Sequence, residues 1–313
     1  MKEGTEVFLV GAERSGTTML RLMLTHHPDI YFHHEFVYSV EKISSSGELP
    51  SPSVFFEYLK LDRIFLEDGL NILDSKSYVE IVRNFLTQLH SRHPNKRIIG
   101  ATVHRNFNFL AKIWPNSKYI HLVRDPRDVA PSYVKKGWSG HVWDAADVWK
   151  TVEETWASFA NTLLPNQHIT IKYENLVLSP QYELERICLF LGIEYSGEML
   201  EYVRESTFSS PDKGLVSQWK ERPSKEAKYI ESKLSNIMAK NGYELSGELV
   251  KVGFLLNYFL YSISRFKKFI FSVRRYGALL RGLDFISRRV IPNKRFRGHV
   301  KSKMNLINAK HVK

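Results

Sequence analysis

A segment near the N-terminus combines the residue types that bind a phosphate or a sulfate. It reads VFLVGAERSGTTML over residues 7–20, and Gly11 and Gly16 have the G-x-x-x-x-G spacing. The backbone N–H groups of such a turn, with the N-terminus of a following helix, form a cradle for an anion. Thr17 and Thr18 stand where a nucleotide triphosphatase has Lys and then Ser or Thr. The segment therefore predicts an anion site for a group with less charge than a triphosphate.

Arg14 supplies the fixed positive charge of this loop. Beside it, Ser15, Thr17 and Thr18 offer hydroxyl donors. One guanidinium and several hydroxyls suit a phosphate or sulfate ester that binds without a metal ion. The alternative is a plain turn between a strand and a helix. The agreement of the flanking strand, both glycines and the hydroxyls disfavours that alternative.

A second cluster of candidate binding residues lies in YIHLVRDPRDVAPSY, residues 119–133. Arg124 would end a strand and Ser132 would lie in the following helix, so that both side chains can face one anion. The alternative is a charged surface turn in which Asp125 or Asp128 caps the helix. This cluster alone leaves both interpretations open.

The elements that must position these residues alternate along the first 247 residues. Short apolar runs typical of strands covered on both faces alternate with segments of helical length. The predicted strands are 6–10, 97–101, 118–123 and 168–173, and the predicted helices are 17–27, 106–113, 127–135, 145–163, 180–191 and 224–241. This order predicts a P-loop-like α/β fold, a parallel sheet flanked by helices, with the ligand at the carboxyl ends of the strands.

Charge divides the chain into two predicted parts. The net charge is +12, but residues 250–313 hold 16 Lys or Arg and one acid, Asp284. We therefore predict a near-neutral domain over 1–247 and a basic helical C-terminal extension over 248–313. A nucleic-acid binder would carry positive charge on its folded body, so no nucleic-acid partner is expected. The single cysteine, Cys188, and an N-terminus without a signal-peptide pattern favour a cytoplasmic location.

The extension has the pattern of a basic amphipathic helix. Phe266 and Phe269 share one face of a helical wheel, while Lys267 and Lys268 lie on another. The apolar run 252–264 is too short to span a bilayer, so a peripheral membrane contact through 252–290 is expected. The alternatives are a helix packed on the domain or on a partner, and a docking strip for an acidic polymer. Residues 293–313 are expected to be poorly ordered.

Four motifs in order resemble those of sulfotransferases that use 3′-phosphoadenosine 5′-phosphosulfate (PAPS). GAERSGTTML resembles their 5′-phosphosulfate loop, especially that of the tyrosylprotein and bacterial types, and 119–133 resembles their 3′-phosphate motif. IKYENLVLSP and DKGLVSQWK are similar to the family's later motifs. The resemblance implies that the cofactor-binding residues are Arg14, Ser15, Gly16, Thr17, Thr18, Arg124, Ser132, Tyr173, Lys213 and Gly214. Taken singly, Tyr173 would be an ordinary strand aromatic and Lys213 a solvated lysine.

The resemblance also implies a catalytic base. In the family a glutamate about twenty residues after the loop arginine takes the acceptor proton, which matches Glu35 here. His34 and then His33 are the next candidates, because the cytosolic members use a histidine. Close members carry a lysine where this chain has Thr102. His104 or Arg105 would replace its charge, or Arg14 and the helix N-terminus would act alone.

The predicted function is transfer of a sulfuryl group from PAPS to a hydroxyl acceptor, with Glu35, Arg14 and His34 as candidate catalytic residues and no metal. A glycan, a glycolipid or a small metabolite is the favoured acceptor. One alternative is a P-loop kinase. Another is a non-catalytic protein of the same fold that binds a nucleotide or a membrane.

Overall fold

Five parallel strands form one sheet in the order β2-β3-β1-β4-β5. The computed structural model describes residues 6–203, 213–221, 224–247, 249–290 and 293–311. The strands are β1 Glu6–Val10, β2 Ile30–His33, β3 Ile98–Val103, β4 Lys118–Val123 and β5 His168–Lys172. β1 is almost continuously apolar because helices cover both faces of the sheet. The predicted parallel α/β sheet is confirmed.

Fourteen α-helices of the described residues surround and extend this sheet. They are α1 Thr17–Thr25, α2 Pro52–Leu59, α3 Arg63–Asp68, α4 Tyr78–Arg92, α5 Leu110–Ile113, α6 Pro126–Lys135, α7 Val142–Ala160, α8 Tyr173–Leu178, α9 Pro180–Leu191, α10 Gln218–Glu221, α11 Lys225–Lys240, α12 Phe254–Tyr276, α13 Ala278–Arg289 and α14 Lys294–His311. From the central β1 the chain first builds β2 and β3 on one side, and then β4 and β5 on the other. Such a reversal of strand order opens a crevice at the carboxyl edge of the sheet, where ligands bind.

Two buried clusters hold the helices against the two faces of the sheet. Phe8 and Val10 of β1 point into one cluster, and Val7 and Leu9 point into the other, since successive side chains of a strand alternate. Each of these four side chains is fully buried. The sheet therefore fixes the position of the loop that follows β1.

The sequence prediction did not include β2 or the helices of residues 52–92. β2 is a four-residue edge strand, too short to show a clear apolar run. α4 packs Ile81, Val82 and Phe85 into the same cluster as Phe8. Of these elements, β2 ends two residues before Glu35 and so positions it at the carboxyl edge of the sheet.

The C-terminal extension packs on α7 and on the loop that follows α6. A Cβ atom added to Gly140 would lie 2.1 Å from the carbonyl oxygen of Ser264, so α12 approaches the backbone closely here. Ser264 Oγ donates to Asp144 at 2.7 Å and accepts from the Gly140 N–H at 3.0 Å. A Cβ atom on Gly137 would meet the Phe271 ring in the same way, at 2.1 Å. Of the alternatives for the extension, the structure therefore shows a helix packed on the domain.

The prediction of poor order near the C-terminus was wrong for the described residues, which form α14. Val300 is 2% exposed, and the Tyr276 hydroxyl donates to Asn308 at 2.7 Å. Tertiary contacts therefore stabilise a segment whose composition is strongly polar. Within the described residues, a search for membrane-spanning helices finds none with the length and apolar character to cross a bilayer.

Candidate active site

The loop between β1 and α1 requires glycine at both ends. Gly11 has φ 146°, and a Cβ atom there would lie 2.3 Å from the carbonyl oxygen of Leu122. Gly16 has φ 97°, and its Cβ atom would lie 2.4 Å from the Tyr173 ring. Arg14 also has a positive φ, 68°. The turn is therefore tight, and Gly16 leaves the first N–H groups of α1 directed into the loop.

Ser15 gives this loop a buried hydroxyl that can meet a ligand. The residue is fully buried, and among the described residues its Oγ atom has no hydrogen-bond partner. A buried polar atom without a partner costs free energy, which a bound oxygen atom would recover. Thr17 is buried at the start of α1, and Thr18 is exposed. The loop therefore fits a phosphate or sulfate group.

The structure brings Arg14, Arg124, Ser132 and Tyr173 together. Arg14 Nε donates to Ser132 Oγ at 2.9 Å, and Arg124 Nη1 donates to the Arg14 carbonyl at 3.5 Å. The Arg124 guanidinium lies 4.2 Å from the Tyr173 ring centroid. Partial burial, and then the charge of Arg124, lowers the pKa of Arg14. An anion bound beside both guanidiniums would relieve their repulsion.

Lys213 and Gly214 are exposed at the start of a short 3₁₀ helix, Lys213–Leu215. Asp212, the first residue of the quoted motif, lies outside the described residues. The motif is joined to α6 by Trp219, whose N–H donates to Asp128 Oδ1 at 3.3 Å. The described residues show no hydrogen bond from Lys213 to Ser132. The role of Lys213 and Gly214 at a 3′-phosphate stays a prediction.

The residues of the turn RDPRD have two different roles: some fix the turn, and Arg124 faces the loop. Asp125 caps α6 by accepting from the Arg127 N–H at 2.9 Å, as the surface-turn alternative proposed. Arg127 is only 3% exposed and forms ion pairs with Asp125 and Glu231. Its guanidinium also lies 3.4 Å from the Trp219 ring centroid. Arg127 therefore fixes the turn, while Arg124 is the arginine that faces the loop.

Glu35 lies beside the loop because His104 links the two. His104 Nδ1 is 2.9 Å from the Gly11 carbonyl, and its Nε2 is 3.5 Å from Glu35 Oε1. Burial alone would raise the pKa of Glu35, but the hydrogen bond and charge of His104 lower it overall. Burial opposes the charge of His104 too, yet Glu35 raises the pKa of His104 overall. The two groups therefore favour a carboxylate and an imidazolium.

His33 and His34 face Asp68 rather than the loop. His33 Nε2 is 2.9 Å from Asp68 Oδ2, and His34 Nε2 is 3.6 Å from Asp68 Oδ1. Burial, and then the charge of His33, lowers the pKa of His34. These three side chains are the one group among the described residues whose ligand atoms are close enough to hold a metal ion. Asp68 Oδ2 already accepts from the Tyr38 hydroxyl at 2.8 Å.

The position of the family lysine holds a buried side chain. Thr102 is 2% exposed within β3, and its hydroxyl faces the His33 carbonyl at 3.5 Å. Arg105 pairs with Glu41 at 3.1 Å. Of the three positions, His104 is therefore the one that contacts the loop. A histidine directly after a buried strand, at the carboxyl edge, is the sequence signal for this contact.

Sequence reasoning missed two contacts that support the loop. The Tyr133 hydroxyl of α6 donates to the Glu13 carboxylate. The Trp138 ring lies 6.0 Å from the Arg14 guanidinium carbon and 5.4 Å from the Tyr133 ring. Both contacts join residues far apart in the chain. They fix the side of the loop that faces the C-terminal helices.

Comparison with known proteins places this site in a family. Protein-tyrosine sulfotransferase 2 of Gallus gallus is 26% identical over 211 residues, covering 64% of this chain and 54% of that protein. Protein-tyrosine sulfotransferase 1 of Danio rerio is 27% identical over 210 residues, covering 63% of this chain and 55% of that protein. The chain thus spans about half the length of these two relatives.

A solved structure supports the fold. The sulfotransferase domain of the Synechococcus PCC 7002 olefin synthase has a TM-score of 0.52 and 18% identity, covering 78% of this chain and 97% of that domain. The model of the sulfotransferase family matches residues 6–197, which include the glycine loop, Glu35, Arg124, Ser132 and Tyr173. The match covers more than half of the chain, and the chain belongs to the sulfotransferase family.

Proposed function

We propose that this protein transfers a sulfuryl group from PAPS to a hydroxyl acceptor. The observation that carries the proposal is the loop itself, in which the buried Ser15 hydroxyl lies in the same turn as Arg14. Arg14 in turn contacts Ser132, and Arg124 contacts the Arg14 carbonyl. No lysine follows Gly16, so the site suits a phosphosulfate better than a Mg²⁺-bound triphosphate.

The binding roles follow from these contacts. Arg14 and the N-terminus of α1 would hold the 5′-phosphosulfate, and Arg124 would place two parallel donors on the 3′-phosphate. Tyr173 supports both, since its ring contacts Gly16 and the Arg124 guanidinium. The remaining assigned residues are Ser15, Gly16, Thr17 and Thr18 at the phosphosulfate, and Ser132, Lys213 and Gly214 at the 3′-phosphate.

Glu35 is the proposed base. When bound, PAPS supplies the sulfuryl group, whose bond to the 5′-phosphate breaks as the acceptor oxygen forms its bond to sulfur. Glu35 accepts the hydroxyl proton during that attack. Its lowered pKa keeps the carboxylate ionised at neutral pH, and His104 holds it at the loop. His34 is less suitable because its side chain faces Asp68.

His104 is the proposed substitute for the family lysine. Its position between Gly11 and Glu35, with a raised pKa, puts a positive charge at the start of the loop. Such a charge would stabilise negative charge that develops on the departing oxygen. His104→Asn should therefore lower kcat about 10²- to 10³-fold, as expected for loss of one stabilising group. Arg105→Ala, one residue away, should have little effect on kcat.

The proposal also covers the chemical class of the acceptor and the place where the protein acts. The relatives above are named protein-tyrosine sulfotransferases, whereas a glycan, a glycolipid or a small metabolite is the acceptor favoured here. Leu255 and Phe259 on α12 are 81% and 58% exposed, and the basic residues of this helix follow from Arg265 onward. We expect residues 252–290 to contact a membrane surface, where apolar side chains enter the lipid and basic ones meet its headgroups.

The proposal is tested by comparing ligands and then by turnover. 3′-Phosphoadenosine 5′-phosphate should raise the melting temperature more than ATP with Mg²⁺ does, because ligands that bind the folded state stabilise it. Transfer of labelled sulfate from PAPS to an acceptor pool should follow. A larger shift with ATP and Mg²⁺ would favour the P-loop kinase. A shift with the PAPS product but no transfer to any acceptor would favour the non-catalytic alternative.

A further inference from the structure

A cavity of 730 Å³ lies between the domain and the C-terminal helices. Its walls include Trp138 and Asp144 from the domain, and Arg265 and Arg275 from α12. The volume is in the range of sites for small ligands. The extension therefore forms one wall of a cavity and is more than a tail attached to the domain.

The cavity is positively charged. Arg265, Lys268 and Arg275 of α12 and Arg281 of α13 line it, whereas Asp144 is the only acid in its lining among the described residues. Asp144 already accepts from Ser264 Oγ. Among the described residues neither Arg265 nor Arg275 has a carboxylate partner. Arg275 donates to the Lys136 carbonyl at 3.4 Å, and its guanidinium lies 4.7 Å from the Phe271 ring centroid. Two guanidiniums without a carboxylate partner on one wall favour an anionic ligand, and a phosphate is the group that they bind best.

The cavity adjoins the proposed sulfuryl site. Trp138 lines it, and the same ring lies 6.0 Å from the Arg14 guanidinium carbon. Arg14 belongs to the loop assigned to the 5′-phosphosulfate. Trp138 therefore borders both the cavity and this loop, so a ligand in the cavity lies next to the proposed sulfuryl site. This proximity suits an acceptor better than an unrelated effector.

The outer face of the same helix is apolar. Leu255, Phe259, Phe266 and Phe269 follow one another at helical spacing, and each is more than half exposed. Phe269 belongs to both surfaces, since it also lines the cavity. An exposed apolar stripe of this kind marks a site of contact with lipid or protein. A ligand bound in the cavity would therefore have its anionic group beside an apolar surface.

We propose that this cavity binds the phosphate-bearing headgroup of a membrane lipid, and that a hydroxyl of this headgroup accepts the sulfuryl group. The inference rests on the proposed function, since it names the acceptor of the same reaction. The headgroup oxygen forms a bond to sulfur, its proton goes to Glu35, and 3′-phosphoadenosine 5′-phosphate leaves. An acidic tyrosine-containing peptide would satisfy the arginines, but it would not account for the apolar stripe beside them.

The test uses the full-length protein and vesicles of phosphatidylcholine that contain phosphatidylinositol or phosphatidylglycerol. Both of these lipids combine a phosphate with free hydroxyls. We expect transfer of labelled sulfate to them, and weaker transfer to a neutral galactosyl diacylglycerol in the same vesicles. We also expect binding of inositol 1-phosphate to the protein loaded with 3′-phosphoadenosine 5′-phosphate. Inorganic phosphate should bind at least about tenfold more weakly, since it lacks the rest of the headgroup.

A matched pair of double variants separates the cavity from the general charge of α12. Arg265→Ala with Arg275→Ala removes two cavity cations, and should lower both lipid turnover and inositol 1-phosphate binding at least about tenfold. Lys267→Ala with Arg274→Ala removes two cations of the same helix that do not line the cavity. It should lower lipid turnover less than about threefold, through weaker vesicle attraction, and leave inositol 1-phosphate binding unchanged. Affinity for 3′-phosphoadenosine 5′-phosphate should stay unchanged in both.

Several outcomes would overturn the inference. One is turnover of an acidic tyrosine peptide without turnover of either phospholipid. Others are equal losses in the two double variants, failure of inositol 1-phosphate to bind, and equal affinity for inorganic phosphate. Failure of the wild-type protein to bind 3′-phosphoadenosine 5′-phosphate would instead overturn the proposed function itself.

Discussion

Arginines lie both at the carboxyl edge of the sheet and on the C-terminal helices, but the contacts of their side chains differ. At the edge, Arg14 is held by Ser132, and Arg124 contacts the Arg14 carbonyl and the Tyr173 ring. On α12, Arg265 is more than a third exposed, and the described residues give it no carboxylate partner. Donors fixed by neighbouring side chains fit one ligand geometry, while exposed donors without such contacts can adapt to related ligands. If the two proposals hold, the site for PAPS is strictly defined and the site for the acceptor is more tolerant.

The largest expected loss of activity comes from a substitution at the carboxyl edge of the sheet. Glu35→Gln keeps the size of the side chain but removes its basicity, so kcat should fall about 10²- to 10⁴-fold. Affinity for 3′-phosphoadenosine 5′-phosphate should barely change, because Glu35 is not assigned to it. Steady-state kinetics and a binding titration measure the two quantities. The melting temperature shows whether the variant folds.

His34→Asn is the matched control for this base. It should cost far less activity, since His34 faces Asp68. A nearly active Glu35→Gln beside an inert His34→Asn would transfer the role of base to the histidine. Full activity in both variants would remove both from the chemistry.

The pH dependence of kcat gives an independent test of the same assignment. Burial would raise the pKa of Glu35, but the hydrogen bond and charge of His104 lower it overall, so this carboxylate stays ionised and kcat should hold as the pH falls from 7 toward the usual glutamate range. A histidine base loses activity when it becomes protonated. If His34 were the base, kcat would therefore fall at a pH below the usual histidine pKa, because burial lowers the pKa of His34. A decline in that range would contradict Glu35.

The second largest effect is expected at Arg124, one of the two arginines at the carboxyl edge of the sheet. Arg124→Ala should weaken binding of 3′-phosphoadenosine 5′-phosphate by about 2 to 4 kcal/mol, which is roughly 30- to 700-fold in Kd. Adenosine 5′-phosphosulfate lacks the 3′-phosphate, so its affinity should change much less. Arg105→Ala, which removes an exposed arginine paired with Glu41, is the control. Equal losses for both nucleotides would show that Arg124 does not bind the 3′-phosphate.

The edge of the sheet could be predicted from sequence because its signals are local. β1 and β4 were predicted with the bounds that the structure shows, since both are continuous apolar runs. The cap at Asp125 depends on neighbouring residues in the same way. The loop glycines were recognised by their spacing, although the contacts that require them, with Leu122 and Tyr173, are long-range. Each of the four motifs is also a local pattern, and their order along the chain was enough to recognise the resemblance to the sulfotransferase family.

Long-range contacts account for what the sequence did not predict. The contact of His104 with Gly11 and Glu35 joins three separate segments, and no spacing rule connects them. The packing of α12 against Gly140 could not be predicted from the sequence, because Ser264, which it contacts, lies more than a hundred residues later. β2 was missed because an edge strand of four residues has little periodicity. The division at residues 247 and 248 stays a prediction.

The third prediction tests the contact that holds α12 on the rest of the protein. Gly140→Ala would place a methyl group 2.1 Å from the Ser264 carbonyl, so α12 must move outward. We expect a loss of about 1 to 3 kcal/mol in stability, as for other overpacked sites. Lipid turnover should fall as well, while affinity for 3′-phosphoadenosine 5′-phosphate should not change. Thermal unfolding and a binding titration measure this contrast.

Gly282→Ala is the matched control for that substitution. Gly282 lies in α13 and has nothing within 4 Å of an added Cβ atom. Alanine there should raise stability slightly, by up to about 1 kcal/mol, through its higher helix propensity. If both variants behave alike, the close approach at Gly140 does not hold the extension on the domain.

The smallest expected effect is that of a chelator, where we expect no change. The loop has Thr17 and Thr18 in place of the Lys and Ser or Thr that organise Mg²⁺, so turnover should survive excess EDTA. Activity that is lost in EDTA and restored by Mg²⁺ would indicate phosphoryl transfer. Activity restored by Zn²⁺ or Mn²⁺ would indicate a metal at His33, His34 and Asp68, whose ligand atoms lie within 4.8 Å of one another. His34→Asn separates these two results, since it should abolish rescue only if the metal binds at that cluster.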